Sequence, residues 1–516
     1  MLIATLTFCL SLQADAPVAQ WSFDGDVRDS GASSFPTKTF GKLEYFDSPV
    51  GKSGKLAVFN GVDTYLEVTP PAELGAGSGD FGLSAWVVPL DRRPAPLFSR
   101  KGWSLALTEG GGLLFKSDCG SITAPGGSCA VGQWCHVYVN VRRADVKGNS
   151  LISVNGDVVG IGDLREGNLD PPGAPLLIGK GDDGKLFGGL LDDVRLYGKA
   201  MDSADVSALT DAGMPWLRVG RAGKKDGFGG KFELATDDVV AFVGGEDARV
   251  GQELGYLEAL LTLSPGGKKA HYRNMAWEGD TVYEQLRPLN FGTWTDQFRR
   301  HGVSVVFCRF GQVEALQGKD DVPRFEAAYE ALLAQFAKTT KRIVLVSPPP
   351  FGKGAATGPD LAARNADLAL YVEVTRKLAA SHGFLFIDLT TPPMSASDLS
   401  RDGLHLSVKG QWEAARETAR QLEIPGVSDL DAPDARGVFR KEVLETLRWS
   451  IRAKNALWTN GWRPSNWAFL NGDRMDQPSS RDHVDRRVRW FPVEVQQYPA
   501  LVRREEDKIQ WLVEQK

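Results

Sequence analysis

Val239-Val240-Ala241-Phe242-Val243-Gly244-Gly245-Glu246-Asp247 is the stretch that decides the second half of this chain. Five consecutive apolar residues stopped by two glycines read as a strand buried on both faces. After the turn, Val250, Leu254, Leu257 and Leu261 recur at helical spacing. The alternation then repeats: strand from Val303 to Cys308, helix from Phe325 to Phe336, strand from Ile343 to Val346, helix from Leu361 to Ala379. A strand from Phe384 to Ile387 and a helix from Gln411 to Leu422 complete it. Such alternation implies right-handed crossovers and a mostly parallel sheet, with ligands bound at the carboxyl ends of its strands.

Towards the N-terminus the period changes. Runs such as Gly82-Leu83-Ser84-Ala85-Trp86-Val87-Val88 and His136-Val137-Tyr138-Val139-Asn140-Val141 alternate with Gly, Asp and Pro. These predict short antiparallel strands and a sandwich. Five blocks stand in order: Trp21-Ser22-Phe23-Asp24-Gly25; Phe59-Asn60-Gly61 with Tyr65-Leu66-Glu67-Val68; Gly132-Gln133-Trp134-Cys135-His136-Val137; Ser153-Val154-Asn155-Gly156; and Gly189-Leu190-Leu191-Asp192-Asp193-Val194-Arg195-Leu196-Tyr197. Residues 17–213 thereby resemble laminin-G/concanavalin A-like domains, which implies an all-β jelly-roll sandwich. In that family rim carboxylates often hold calcium. The resemblance places Asp29 and Asp192 there, as oxygen ligands suited to a hard cation. No other cofactor is implied.

Composition limits the partners. The chain has 516 residues, with 60 basic and 65 acidic side chains and a net charge of −5, and no basic stripe suited to nucleic acid. Met1 to Leu12 is apolar or small and is followed by Ala14-Asp15-Ala16, the pattern of an export signal over 1–16. It is too short for a membrane span. The expected location is outside the cytoplasm: secreted, periplasmic or at the cell surface. Export permits disulfides, and Cys119 with Cys129 would close a short loop; the alternative is independent buried thiols. Cys308, inside a strand, reads as a core residue.

The second half carries a constellation of its own. Arg401-Asp402-Gly403-Leu404-His405-Leu406-Ser407, ahead of the last helix, resembles the final block of SGNH/GDSL hydrolases. The resemblance implies a flavodoxin-like three-layer α/β domain over 231–426, with Asp402 orienting His405 as general base. Gly244-Gly245-Glu246-Asp247 occupies the place of the family's Gly-Asp-Ser turn, so Glu246 stands where the nucleophilic serine belongs. Arg273-Asn274-Met275-Ala276 resembles the second block, with Ala276 in place of a glycine N–H donor. Phe310-Gly311-Gln312-Val313-Glu314 resembles the third, with Val313 in place of an asparagine donor. An esterase needs its serine and its oxyanion donors. A carboxylate would form an anhydride and repel the oxyanion.

Two readings of that cleft follow. It either holds a polyol or sugar among Glu246, Asp247, Glu314, Asp402 and His405, or it performs other acid/base chemistry with Glu246, His405 and water. A glycine-rich segment, 214–230, reads as a linker. Residues 427–516 read as a mainly helical or irregular extension that packs on the α/β domain. Its Trp462, Arg463, Asn466 and Arg474 are of the types that stack on sugars or fork onto acids, and equally of the types that clamp a tail to a domain. The leading expectation is an exported carbohydrate- or glycoconjugate-binding protein on a hydrolase scaffold without serine. The alternatives are an active carbohydrate ester hydrolase using Asp402/His405, and a surface protein that binds only through its sandwich.

Overall fold

The computed structural model describes residues 16–51, 54–69, 79–143, 150–164, 167–169, 173–217, 226–353, 360–391 and 399–515. The expected export signal, up to residue 15, lies outside them. The chain divides into two compact units, Met1–Gly213 with His483–Arg489, and Met214–Asp482 with Trp490–Lys516.

The first unit is all-β. Among the described residues it has two antiparallel sheets, of eight and seven strands. Strand Phe81–Pro89 lies between Cys135–Val141 and Gly188–Tyr197, and all three are almost wholly buried. The opening strand Ala19–Trp21 pairs with the closing one, Ala19 opposite Leu196 and Trp21 opposite Val194. Inward residues of both sheets, including Trp21, Phe59, Phe98, Trp103 and Phe115, share one core. Cys129 is joined to Cys135, not to Cys119, which is free. The chain folds Cys135 back beside Cys129 at a Cα separation of 5.9 Å, within the reach of a disulfide.

In the second unit the described residues form a five-stranded parallel sheet: β1 (Val239–Gly244), β2 (His271–Asn274), β3 (Val305–Arg309), β4 (Ile343–Val346) and β5 (Leu385–Ile387). Its spatial order is β2-β1-β3-β4-β5. The main helices are α1 (Glu246–Leu254), α2 (Tyr256–Thr262), α3 (Trp294–His301), α4 (Val322–Ala337), α5 (Asn365–His382), α6 (Val408–Gln421), α7 (Glu442–Trp462) and α8 (Tyr498–Glu514). Alternation in β1 makes the layers: Val240 and Phe242 face the core of α2, α6 and α7, while Val239, Ala241 and Val243 face that of α3, α4 and α5. Cys308 is buried in β3, and burial pushes its thiol up to about 12. The single helix expected after β1 is broken at Gly255, whose φ of +75° closes α1 and opens α2.

Part of the expected linker is packed structure. Leu217 is buried, and Trp216 lies 4.7 Å from the His271 ring; residues 218–225 lie outside the described residues. The extension also divides differently from the reading of 427–516 as one body, because His483–Arg489 belong to the first unit. There Arg489 Nη1 donates to the Leu90 carbonyl at 3.0 Å.

The rest of the extension is held on β2 by buried charge. Lys454 Nζ contacts Glu258 Oε1 at 2.7 Å and donates to the Tyr272 carbonyl at 2.9 Å. Glu506 meets Arg273 at 2.5 Å and His271 at 3.0 Å. Burial alone would raise the Glu506 carboxyl, but Arg273 and His271 outweigh it and hold it far below the usual range. Burial alone would lower His271, but Glu506 and Asp237 raise it, against Arg273.

Glu506 therefore contributes stability above its unfolded pKa of about 4.3, lost on acidification, and His271 contributes stability below about 6.5, lost as pH rises through its raised value. The unfolding temperature of the second unit, followed by tryptophan fluorescence, is expected to peak between about pH 4.5 and 6.5 and to fall on both sides. A profile that stays flat from about pH 3 to pH 9 would refute the linkage.

Candidate functional site

In the order 2-1-3-4-5 the topological switch lies between β1 and β3, where open parallel sheets place their ligands. Gly244 ends β1 at a φ of +155°, and a Cβ there would lie 2.5 Å from the Arg309 carbonyl oxygen and 2.9 Å from Ala248 Cβ. This close approach demands glycine, and it brings the start of α1 against the end of β3. A cleft enclosing about 50 Å³ opens at that point. Gly245, Glu246 and Asp247 line it from one side, Gly311, Val313 and Glu314 from another, and Leu404 and His405 from the loop before α6.

The Asp402/His405 pair is formed. His405 Nδ1 lies 2.7 Å from Asp402 Oδ2, while Asp402 Oδ1 accepts the backbone N–H groups of His405 at 2.7 Å and Leu404 at 3.0 Å. Burial would raise the Asp402 carboxyl, but His405 and these N–H donors hold it down at about 2. His405 Nε2 has no hydrogen-bond partner among the described residues.

Glu246 is engaged elsewhere. Arg249, one helical turn on, donates from Nε to Oε2 and from Nη2 to Oε1, both at 3.1 Å. The same guanidinium pairs with Glu253 and, at 2.9 Å, with Glu278. Glu246 and His405 thus share a cleft without a hydrogen bond between them. The sequence reading did not name Arg249; its three-residue spacing from Glu246 is the signal that a helix begun at Glu246 offers.

The donor positions are spent. Ala276 N donates to Asn274 Oδ1 at 3.0 Å, and Val313, half exposed, offers only carbon. Glu314 accepts Val282 N and Gly311 N, each at 2.9 Å, so it braces the loop after β3; burial pushes its carboxyl up against those donors. Asp247 is a brace as well: Oδ1 accepts Leu406 N at 3.1 Å and Oδ2 meets Arg309 Nη2 at 3.2 Å. Arg309 and Asp280 line the cleft without having been singled out from sequence. Burial raises Asp280 above the usual range, opposed by Arg287, which forks onto it at 2.7 and 2.6 Å. No hydroxyl or thiol side chain is among the described residues that line the cleft.

The four residues of the extension lie outside that lining. Trp462 is buried, donates to Gln297 Oε1 at 3.0 Å and packs against Trp458, Trp277 and Phe291. Arg463 contacts Glu278 at 2.5 Å and stacks over Trp277 at 3.8 Å. Asn466 receives Phe469 N at its carbonyl, and Arg474 N donates to the Ala468 carbonyl. The contacts of Trp462 and Arg463 clamp the extension to the domain, whereas those of Asn466 and Arg474 are turns within it. Ser480 Oγ, buried, donates to backbone carbonyls.

On the sandwich, Asp29 accepts three backbone N–H groups, from Gln20, Gly31 and Phe35. Asp192 is bonded to Ser48, and burial raises its carboxyl well above the usual range. Calcium at these two residues would have to displace those bonds. Among the described residues there is no group of three or more His, Cys, Asp or Glu that could hold a metal ion.

Comparison with known families fits this geometry. Residues 60–207 match the concanavalin A-like lectin/glucanases superfamily, and residues 237–412 match the GDSL-like lipase/acylhydrolase family. The chain carries a laminin-G-like domain followed by a GDSL-like domain. The GDSL-like match runs from before β1 into α6 and so spans Glu246, Ala276, Val313 and the Asp402/His405 pair.

Among solved structures, domain 4 of a GH43 extracellular arabinanase from Geobacillus stearothermophilus, in complex with arabinotriose, is 23% identical with a TM-score of 0.31. That match covers 38% of this chain and 100% of the arabinanase domain. The binding domain of Paraclostridial Mosquitocidal Protein 1 is 17% identical, with a TM-score of 0.33, over 39% of this chain and 52% of that one. The binding domain of Botulinum Neurotoxin DC in complex with SialylT is 12% identical, with a TM-score of 0.31, over the same shares. This chain thus spans about half the length of those two binding domains. No curated protein matches. No described helix is long and apolar enough to cross a membrane.

Proposed function

We propose that this is an exported carbohydrate- or glycoconjugate-binding protein whose GDSL-like domain keeps a hydrolase cleft for recognition and does not carry out serine-type ester hydrolysis. The observation that carries this reading is the Arg249 clamp on Glu246, in the place of the nucleophile. A carboxylate held by two hydrogen bonds is a poor attacking group, and its charge opposes the oxyanion that acyl transfer must build. The loss of donors at Ala276 and Val313 points the same way.

A second reading draws on the intact Asp402/His405 pair and its unpartnered Nε2. His405 would act as general base on a water rather than on a side chain, giving a divergent hydrolase of esterified glycans. One experiment separates the two. The mature chain and a His405→Ala variant are tested for hydrolysis of acetylated chromogenic esters and acetylated glycans, and for binding on a glycan array. The expected result is glycan binding that weakens about tenfold in the variant, with no hydrolysis above background in either protein. Hydrolysis that disappears in the variant would overturn the binding reading in favour of the second.

A further inference from the structure

The charges of the cleft leave little free to meet a ligand. Glu246 is held by Arg249, Asp280 by Arg287 and Glu314 by backbone N–H groups, while Asp247 and Arg309 hold each other. Uncommitted polar atoms remain on two other side chains of the lining, Gln312 and His405.

Gln312 stands on the loop after β3. Its one hydrogen bond runs from Nε2 to the Pro349 carbonyl at 3.4 Å, longer than a well-made N–H···O contact. Its Oε1 accepts none among the described residues and is not a buried atom. His405, on the loop before α6, supplies the complement. Asp402 is held ionised and can only accept, so His405 Nδ1 carries the hydrogen of their contact. In the neutral ring Nε2 is then an acceptor, without a partner among the described residues. Val313 follows Gln312 and Leu404 precedes His405, and both add carbon to the lining.

We infer that the substituent this cleft takes from a glycan is an acetamido group, so that the ligand is an N-acetylated amino sugar; this rests on the glycan-binding reading above. An acetamido group presents a carbonyl acceptor, an N–H donor and a methyl. As a trans amide it points the first two in opposite directions, which suits a donor and an acceptor that arrive on separate loops. Gln312 Nε2 exchanges its long contact for the ligand carbonyl, His405 Nε2 accepts the N–H, and the methyl meets Val313 and Leu404. A sugar hydroxyl lacks the methyl. An acetyl ester lacks the N–H and would leave His405 Nε2 desolvated and unpaired.

Saturation-transfer NMR and calorimetry on the full chain test this with methyl glycosides in matched pairs. These are N-acetylglucosamine, N-acetylgalactosamine and N-acetylmannosamine against glucose, galactose and mannose. At least one N-acetylated sugar is expected to bind about tenfold more tightly than its match, with the strongest saturation on the acetyl methyl. The 2-O-acetyl ester of that match should bind no better than its hydroxyl form. Gln312→Leu is expected to abolish the preference and leave the weak binding of plain sugars unchanged. Gln312→Glu, which keeps the shape but not the N–H donor, should abolish the preference too. If neither these sugars nor the glycan array shows binding, the glycan-binding reading fails and takes this inference with it. Array binding confined to glycans without an acetamido group, no preference within the pairs, or a preference that survives Gln312→Leu overturns this inference alone. An acetyl-lysine peptide bound as tightly as the sugars, and lost in Gln312→Leu, would assign the cleft to acetylated protein and overturn the amino-sugar ligand.

Discussion

The double variant Glu246→Ser/Val313→Asn is expected to hydrolyse a chromogenic acetyl ester about 100-fold faster than the wild-type chain. Serine at 246 would stand at the first position of α1, separated from the end of β1 by Gly245, in the cleft that His405 also lines. The substitution also removes the carboxylate whose charge faces the developing oxyanion. Asparagine at 313 restores an amide donor at a position that is half exposed in the cleft, a contribution of about 3 kcal/mol in other hydrolases. Arg249 is not stranded by the change, since Glu253 and Glu278 remain its partners. Adding His405→Ala should return the rate to the wild-type level. If the double variant is no faster than wild type, the missing serine and donor are not what separates this cleft from an esterase.

Lys454→Met is expected to destabilise the second unit by about 3–5 kcal/mol, read as a lower denaturant midpoint. Lys454 and Glu258 have side chains only 1% exposed. Burial pushes the ammonium down and the carboxyl up in pKa, so their contact offsets a desolvation cost more than it adds stability. Removing lysine alone leaves Glu258 buried with only Asn455 as donor, at 3.0 Å, and leaves the Tyr272 carbonyl without its ammonium. The double variant Glu258→Leu/Lys454→Met should recover most of the loss, because hydrocarbon of similar size carries no such cost. Equal losses in the single and double variants would mean that the pair is not coupled.

These charges also show where sequence reading stops. β1, β3 and β4 are apolar runs whose period declares them, and the blocks around Gly244 and Asp402 were placed by their resemblance to the hydrolase family. β2 reads His-Tyr-Arg-Asn and has no such signature. Its polar side chains are buried only because Glu506 and Lys454 arrive from the far end of the chain, more than 180 residues away. The tryptophans of the extension had two readings of equal standing, and Gln297 and the Asn274 carbonyl, partners of Trp462 and Trp458, are set by tertiary packing. The Arg249 clamp was different. It is a local contact one helical turn long, missed because the sequence reading put Glu246 in the turn, whereas the helix begins at Glu246 itself.

At β2 the outermost strand has its open side answered by side chains instead of by another strand. Lys454 reaches the Tyr272 carbonyl, and Trp458 Nε1 reaches the Asn274 carbonyl at 2.7 Å. Bare strand edges recruit strands from other molecules, which is the first step of aggregation. The helix α7 therefore acts as a guard against self-assembly as well as a clamp. It follows that a chain cut before Glu442 would lose more than a tail: it would present an unprotected edge, with Arg273 and His271 stripped of Glu506, to every other copy in solution.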